Sequence, residues 1–384
     1  MTTTLETSAT TVLDAVQDLA PTIAERAAEV EAGRRLPLDL VESLTAAGCF
    51  RLLLPASHGG AERSLPEAMR VWEALARVDG SVGWTVMIGA SGWCDLAGLP
   101  RPTFDALYAE GPDVIIGGVF APSGSAVAVD GGYRVSGRWS FASGCQHSQW
   151  LYGHCMEGVG ADQRMRMALL SPGDVVIEDT WHVSGLRGTG SHHFRADGVV
   201  VPAERTFLTM EDEPSIDATI VNVPPPALYA LQIASVAVGI AQGALDDIVA
   251  LATDKVPLLA SSALAANPLF QHQLATADTQ LRAARTLLYA DTEEAWATAS
   301  DRAPFANEQR AHIRSTVSWA VAQAVAVVET AYHAGGSNAL YVTSPLQRRL
   351  RDIHALTQHF LVKPDALTTA GAVLAGLDVE LGLY

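Results

Sequence analysis

The stretch AVAVDGGYRVSGRWSFASGCQHSQW, Ala126 to Trp150, decides how the chain is read. Apolar and polar residues alternate on both sides of Asp130-Gly131-Gly132, the pattern of two strands joined by a tight turn. The second strand carries Trp139, Phe141 and Ser143, with almost no charge from there to Trp150. In an extended segment these three side chains share one face. That face suits two aromatic residues packed into a core, or a platform for a flat redox-active ring with one hydroxyl aimed at it. Spacing alone leaves the two readings equal.

Away from the hairpin the period changes in both directions. Upstream, to about Leu107, the chain reads as helix upon helix. SLPEAMRVWEALARVDG opens with capping-box spacing, Ser64 to Glu67, and repeats Met69, Trp72, Leu75 and Ala76 on a helical period. PASHGGAERS before it is a turn-rich connector. From about Asp113 to Phe207 the period is two, and FRADGVVVPAERT supplies a further strand and turn. From about Pro224 the helical period returns in four or more long segments, one opening at Ser344 as N-cap with Pro345 as first helical residue. Helices, then strands, then helices make an α+β layout, not alternating βαβ units. The expected division is an N-terminal helical domain over 1–112, a middle antiparallel β barrel or sandwich over 113–210, and a C-terminal helical bundle over 211–384.

Composition narrows the function classes. With 49% apolar and 17% charged residues over 384 positions, a sizeable core can form. A net charge of −17 argues against nucleic acid and anionic membranes as partners, and favours a neutral or apolar small molecule. Cys49, Cys94, Cys145 and Cys155 show no CxxC spacing and read as reduced thiols. The opening MTTTLETSATTVLDAV has neither a basic region nor an apolar one, so no signal peptide is expected. The apolar run Ala227 to Ala252 is interrupted by Gln232, Ser235, Gln242, Asp246 and Asp247, which fits a buried bundle helix better than a membrane span. A cytoplasmic protein is expected.

Several motifs are ambiguous alone. LRGTGSHHF, Leu186 to Phe194, lacks the third glycine of a dinucleotide fingerprint and reads as a tight turn between strands. His192 and His193 would point to opposite faces, and no third ligand makes them a metal site. HAGGSNALYVTSPLQRRLRD joins a double glycine to a helix start, where backbone can approach a ligand closely. In RDIHALTQH, a continuous helix would put His359 on one face with Arg351, Asp352 and Ala355. His354 would then lie about 140° away from it. A histidine is the natural general base at neutral pH, although a buried one is more often structural.

Taken in order, AAGCFRLLLPASHGG, LARVDGSVGW, YRVSGRWSFASGCQHSQW, GLRGTGSHHFRADGVVVPAERT and AGGSNALYVTSPLQRRLRDIHALTQH resemble the acyl-CoA dehydrogenase fold. More narrowly the chain resembles its two-component flavin-dependent monooxygenases (group D), from about Arg26 to Leu377. The resemblance implies a helical domain, a β domain and a four-helix bundle, usually in a homotetramer. It implies reduced FMN or FAD received from a separate reductase, reaction with O2 to a C4a-(hydro)peroxide, and oxygenation of a hydrophobic, aromatic or polycyclic molecule. By position, Ser143 would bond near flavin N5 and protect the peroxide, and His359 would act as base or orient the substrate. Trp139, Phe141 and the Gly335-Gly336-Ser337-Asn338 turn would lie along the flavin. Trp84, Ser91 and His354 are assigned to the substrate pocket.

Two departures stand out. Ser91 occupies the place where relatives often carry a histidine, and Gln273 stands where an arginine is usual, leaving phosphate contacts to Arg282 or a neighbouring subunit. TQHFLVKPD has no glutamate where the dehydrogenases place their base, so simple acyl-CoA dehydrogenation is disfavoured. N-oxygenation of an amine or amino sugar, a non-catalytic flavin- or ligand-binding scaffold, and acyl-CoA dehydrogenase-like oxidation are the alternatives.

Overall fold

The computed structural model of the chain describes residues 9–379; Met1–Ser8, at the head of the segment read as lacking a signal peptide, lie outside the described residues. The N-terminal part holds α1 (Ala9–Glu25), α2 (Ala27–Gly33), α3 (Leu38–Ala46), α4 (Leu65–Val78), α5 (Gly80–Ser91) and α6 (Arg101–Leu107). The capping box forms as its spacing requires: the Ser64 backbone N–H donates to Glu67 Oε2 at 3.0 Å, and the Glu67 N–H donates to Ser64 Oγ at 3.4 Å. Asp79 caps α5, its carboxylate accepting from the N–H groups of Ser81 at 2.9 Å and Val82 at 3.1 Å. Nearly every residue of α5 is buried.

The middle part is one sheet of β1 (Ile116–Val129), β2 (Gly132–Ala142), β3 (Trp150–Glu157), β4 (Arg164–Leu170), β5 (Val176–Glu178), β6 (His192–Pro202) and β7 (Thr206–Leu208), in the order β5-β6-β2-β1-β3-β4-β7. The hairpin at Asp130-Gly131 joins β1 to β2, with Val129 paired to Gly132 and Gly131 at φ +79°. The sheet departs from a purely antiparallel one where β1 and β3 run parallel. The connection from β2 crosses through residues 143–149 before β3 begins, so β3 starts at the same end as β1. The strands enclose a small core in which the Trp139 and Phe194 rings stack at 4.9 Å and Trp139 Nε1 donates to the His154 carbonyl at 2.8 Å. Glycines make room for that indole: a Cβ on Gly124 or Gly153 would come within 2.4 Å of it.

The C-terminal part holds α7 (Pro225–Asp254), α8 (Pro268–Ser300), α9 (Asn307–Gly335), α10 (Pro345–Leu356) and α11 (Asp365–Leu374). α7 is long and apolar enough to cross a membrane, yet it packs against α4, α9, α10, α8 and α5 and is largely buried. Its polar interruptions each meet a partner. Asp246 pairs with Arg77 at 2.5 Å, Asp247 with Arg349 at 2.5 Å, and Gln242 accepts from Arg285 at 2.9 Å. These bonds fix which face of α7 meets α4, α8 and α10.

Trp139→Ala is expected to lower stability by about 3–5 kcal/mol, because it empties the centre of the β core. A urea midpoint close to wild type would show that this core does not carry the sheet.

Candidate functional site

The site begins where the alternation of β2 fails. Phe141 has φ +69°, and the pairing of β2 with β6 slips between Trp139 and Ala142. A large aromatic residue in the left-handed region is costly and persists only where its surroundings impose it. The consequence is a division of the three residues expected on one face. Trp139 is fully buried in the β core, so it does not line a ligand site. Phe141 is 67% exposed, meeting the rings of Trp181 at 6.2 Å and His193 at 5.6 Å edge-on. Ser143 turns inward and is buried.

Ser143 heads a chain of hydroxyls whose direction can be derived. Its Oγ accepts from Trp84 Nε1 at 2.9 Å and lies 2.7 Å from Ser191 Oγ. Ser191 Oγ lies 2.7 Å from Thr189 Oγ1, which donates to the Leu186 carbonyl at 2.8 Å. A carbonyl only accepts, so the Thr189 hydrogen is committed to it. Ser191 must therefore donate to Thr189, and Ser143 to Ser191. With its hydrogen and one lone pair used, Ser143 can offer a ligand only an acceptor.

The loop carrying this chain is held from three sides. Leu186, at φ +50°, donates its N–H to Asp352 Oδ1 at 2.6 Å, and the Gly188 N–H donates to Ser81 Oγ at 3.2 Å. Arg351 donates to the Ser184 carbonyl at 2.5 Å. Gly185 lies so close to α10 that a Cβ there would come within 2.0 Å of the Arg351 carbonyl oxygen. Burial and the nearby Asp79 charge push the Asp352 carboxyl up to about 7.

His359 is not on α10, which ends at Leu356, so it shares no helical face with Arg351, Asp352 and Ala355. It caps the next turn instead, where its Nδ1 accepts from the Leu361 N–H at 3.3 Å. The ring hydrogen is thereby assigned to Nε2. Burial, helped by the charge of Arg314, pulls the imidazole down to about 4, so it is neutral at pH 7. With Nδ1 engaged, His359 presents an N–H donor. Its ring lies 5.9 Å from Trp84, so Trp84 touches both Ser143 and His359.

Other expected site residues lie elsewhere. Ser91 is fully buried, donating to the Met87 carbonyl at 2.7 Å and lying 2.9 Å from Gln232 Oε1, so it seals α5 against α7. His354 is exposed on α10 and paired with Glu329 of α9 at 3.2 Å. Arg282 is exposed on α8, 3.7 Å from Asp278. Gly335, Gly336, Ser337 and Asn338 close α9, with the Gly335 carbonyl accepting from Lys255 Nζ. Neither Arg282 nor this turn shares a hydrogen bond, ion pair or ring contact with Ser143, Trp84 or His359. Trp181, Thr189 and Ser191 were missed, although the two hydroxyls spaced by two in GTGS offered a signal. The side chains of His192 and His193 do part: His192 accepts from the Thr180 and Trp181 N–H groups, each at 3.2 Å. Among the described residues, no group of three histidines, cysteines or carboxylates could hold a metal.

Family models described as acyl-CoA dehydrogenase, N-terminal domain, and acyl-CoA dehydrogenase, C-terminal domain, match residues 7–97 and 231–364. Indole-3-acetate monooxygenase of Pseudomonas putida is 32% identical over 373 residues, which cover 95% of this chain and 92% of that protein. The flavin-dependent monooxygenase oxygenase subunit HsaA of Mycobacterium tuberculosis is 31% identical over 95% of each chain. A crystal structure of the M. tuberculosis HsaA monooxygenase has a TM-score of 0.90, covering 98% of this chain and all of that one at 29% identity. XiaF from Streptomyces sp., solved with FADH2 and glycerol, has a TM-score of 0.91 at 25% identity and 96% coverage of both chains.

The depressed histidine can be read directly. In an NMR titration the His359 ring should change near pH 4, and a midpoint between 6 and 7 would refute the neutral donor. Because its folded value lies below the unfolded 6.5 or so, the unfolded chain binds more protons between about pH 6.5 and pH 4. The stability contributed by the neutral ring is complete above that window and lost as pH falls through it. Melting temperature should therefore fall less steeply over this range in His359→Gln than in wild type.

Proposed function

The chain belongs to the flavin-dependent monooxygenases, the oxygenase components built on the acyl-CoA dehydrogenase fold, and from that premise we propose that it oxygenates a hydrophobic aromatic small molecule. One observation carries the placement of the site: Ser143, Trp84 and His359 meet beside the exposed Phe141, with an oriented acceptor and a neutral donor. These residues fit a reduced flavin. Its N5 bears a hydrogen that the free lone pair of Ser143 can accept, whereas oxidised N5 has none to give. Phe141 offers a ring face, and the Gly335–Asn338 turn and Arg282 are the candidates for the remaining cofactor contacts.

Bound reduced flavin supplies two electrons and activates O2, so that one oxygen atom enters the substrate and the other leaves as water. The residues around it have narrower tasks. Ser143 holds the ring by its N–H, Trp84 fixes the Ser143 oxygen, and Ser191 and Thr189 act as positioning residues that keep the Ser143 hydrogen away from the cofactor. His359 donates from Nε2 to an oxygen of substrate or cofactor and orients it; burial of the group keeps water from competing. FMN and FAD both suit this arrangement.

The reading extends to partners. Reduced flavin would come from a separate reductase in the cytoplasm, and the working assembly would be a homotetramer of subunits divided as 1–112, 113–210 and 211–384. Supporting the assembly, Leu258, Leu259, Tyr341 and Val342 are exposed near the α7–α8 and α9–α10 connections. In a tetramer, Arg282 and the Gly335–Asn338 turn of one subunit would reach the cofactor of another. Sedimentation as a 40.5 kDa monomer would refute this.

Mixing the protein anaerobically with reduced FMN or FAD, then with O2 and a panel of phenols and indoles, tests the reading. Ser143→Ala and His359→Ala should each cut product formed per reduced flavin by tenfold or more, with hydrogen peroxide released instead. If wild type oxygenates nothing and both variants behave like it, the reading fails. Ser191→Ala frees the Ser143 hydrogen, so it should narrow the preference for reduced over oxidised flavin about tenfold, the worth of one hydrogen bond. An unchanged affinity ratio would remove the positioning role.

A further inference from the structure

Leu186 stands at φ +50° and ψ +38°, a left-handed conformation in a residue that carries a Cβ. Such a residue is strained and keeps its conformation only under constraint. Both of its backbone polar groups are engaged. The N–H donates to Asp352 Oδ1 at 2.6 Å, and the carbonyl accepts from Trp181 Nε1 at 3.0 Å and Thr189 Oγ1 at 2.8 Å. With the N–H fixed on α10, the left-handed angles are what aim the carbonyl at those two donors. In the right-handed basin it would turn away from both.

Two features of the site hang on that carbonyl. Trp181 meets the exposed Phe141 edge-on at 6.2 Å. Thr189 ends the hydroxyl chain that makes Ser143 an acceptor. Once the carbonyl turns, the Thr189 hydrogen is uncommitted and the chain can reverse, so that Ser143 offers a hydrogen instead. Reduced flavin presents an N–H at N5 and oxidised flavin a lone pair, so reversal favours the wrong redox form.

The acceptor that holds Leu186 is itself titratable. Asp352 is buried, and Asp79 at the start of α5 brings a second buried carboxylate into the same region. Nearby cations are engaged by other carboxylates. Arg348 lies 3.7 Å from Asp79, Arg351 pairs with Glu31 of α2, and Arg349 pairs with Asp247 of α7 at 2.5 Å. The loop itself contributes one charged residue, Arg187. Burial, then the Asp79 charge, push the Asp352 carboxyl up to about 7.

We propose that Asp352 is a positioning residue that works as a latch: its carboxylate holds the Leu186 peptide left-handed, and a proton taken up there loosens the loop and lowers the site's preference for reduced flavin. The latch rests on the loop geometry, whereas its effect on flavin rests on the oxygenase reading. A neutral carboxyl holds the Leu186 N–H with about half the strength of a carboxylate. Global stability moves the other way. The folded value of Asp352 lies above the unfolded one, so its contribution is complete below about pH 4 and lost as pH rises through about 7. Loosening of the loop at low pH is therefore distinct from a general loss of stability.

The test follows amide exchange of the full chain without flavin, corrected for the intrinsic rate, over residues 181–191. Protection there should fall about fivefold in wild type from about pH 8 to about pH 6, while the β core around Trp139 stays unchanged. Asp352→Asn should show the low protection at both pH values. Anaerobic titrations then give the ratio of affinities for reduced and oxidised FMN. That ratio should also fall about fivefold in wild type and stay low in Asp352→Asn, which serves as reference because reduced FMN itself titrates. Wild-type protection that ignores pH overturns the latch, as does an Asp352→Asn variant protected like wild type at high pH. Should that variant not fold, the wild-type exchange profile still decides. A pH-dependent loop with an unchanged flavin ratio overturns the role in flavin selection. Flavin binding with a pH-independent loop sinks this inference alone, whereas a responsive loop in a chain that binds no flavin keeps the latch and sinks the oxygenase reading.

Discussion

The buried carboxylate of Asp352 is the constraint on which the site depends. It receives the Leu186 N–H at 2.6 Å from the middle part while standing on α10 of the C-terminal bundle. Its other oxygen lies against Gly80 at the start of α5, so close that a Cβ there would come within 3.3 Å of it. Asp79 caps that helix and lies 3.7 Å from Arg348 of α10. Three regions of the chain thus meet on two carboxylates with little water around them. In such surroundings a misplaced partner leaves a charge or an N–H unpaired, which costs more than most packing errors. The geometry is therefore narrowly determined, and the Gly185–Ser191 loop inherits that precision.

From the loop, order passes to the chemistry through hydrogen positions. The Leu186 carbonyl ends a chain of three hydroxyls and so sets the direction of all of them. The same logic sets His359, where one backbone N–H occupies Nδ1 and burial keeps the ring neutral. Two side chains that are each donor and acceptor in water become, in this fold, one acceptor and one donor. Such preorganisation is what a protein can contribute when the difficult chemistry resides in a cofactor.

The polar group just past α5, where Tyr152 and Tyr229 both donate to Asp95, follows a similar rule. Two tyrosines converge on one carboxylate oxygen and leave the other oxygen open, and a histidine turns its only hydrogen to a carbonyl. Buried polar groups are expensive unless paired, and here each tyrosine hydroxyl and the histidine N–H is committed to one acceptor.

Much of this was legible in the sequence, because it rests on local rules. The capping box at Ser64, the turn at Asp130-Gly131, the Ser344-Pro345 helix start and the sequence of helical and strand periods all formed where spacing placed them. The residue types that bear chemistry, Ser143 and His359, were also visible. What the tertiary structure alone decided is where those side chains point. Strand alternation put Trp139 beside Phe141, and a helical period put His359 beside Asp352. A left-handed residue at Phe141 and a helix ending at Leu356 undo both. Ser91 looked like a pocket residue until Gln232, 141 positions away, bonded to it. Asp95 owes its character to Tyr152 and Tyr229, 57 and 134 positions along the chain. Period and capping act within a few residues and can be read from them, whereas the polarity of a buried hydroxyl, imidazole or carboxylate is set by distant groups that only folding brings within hydrogen-bond reach.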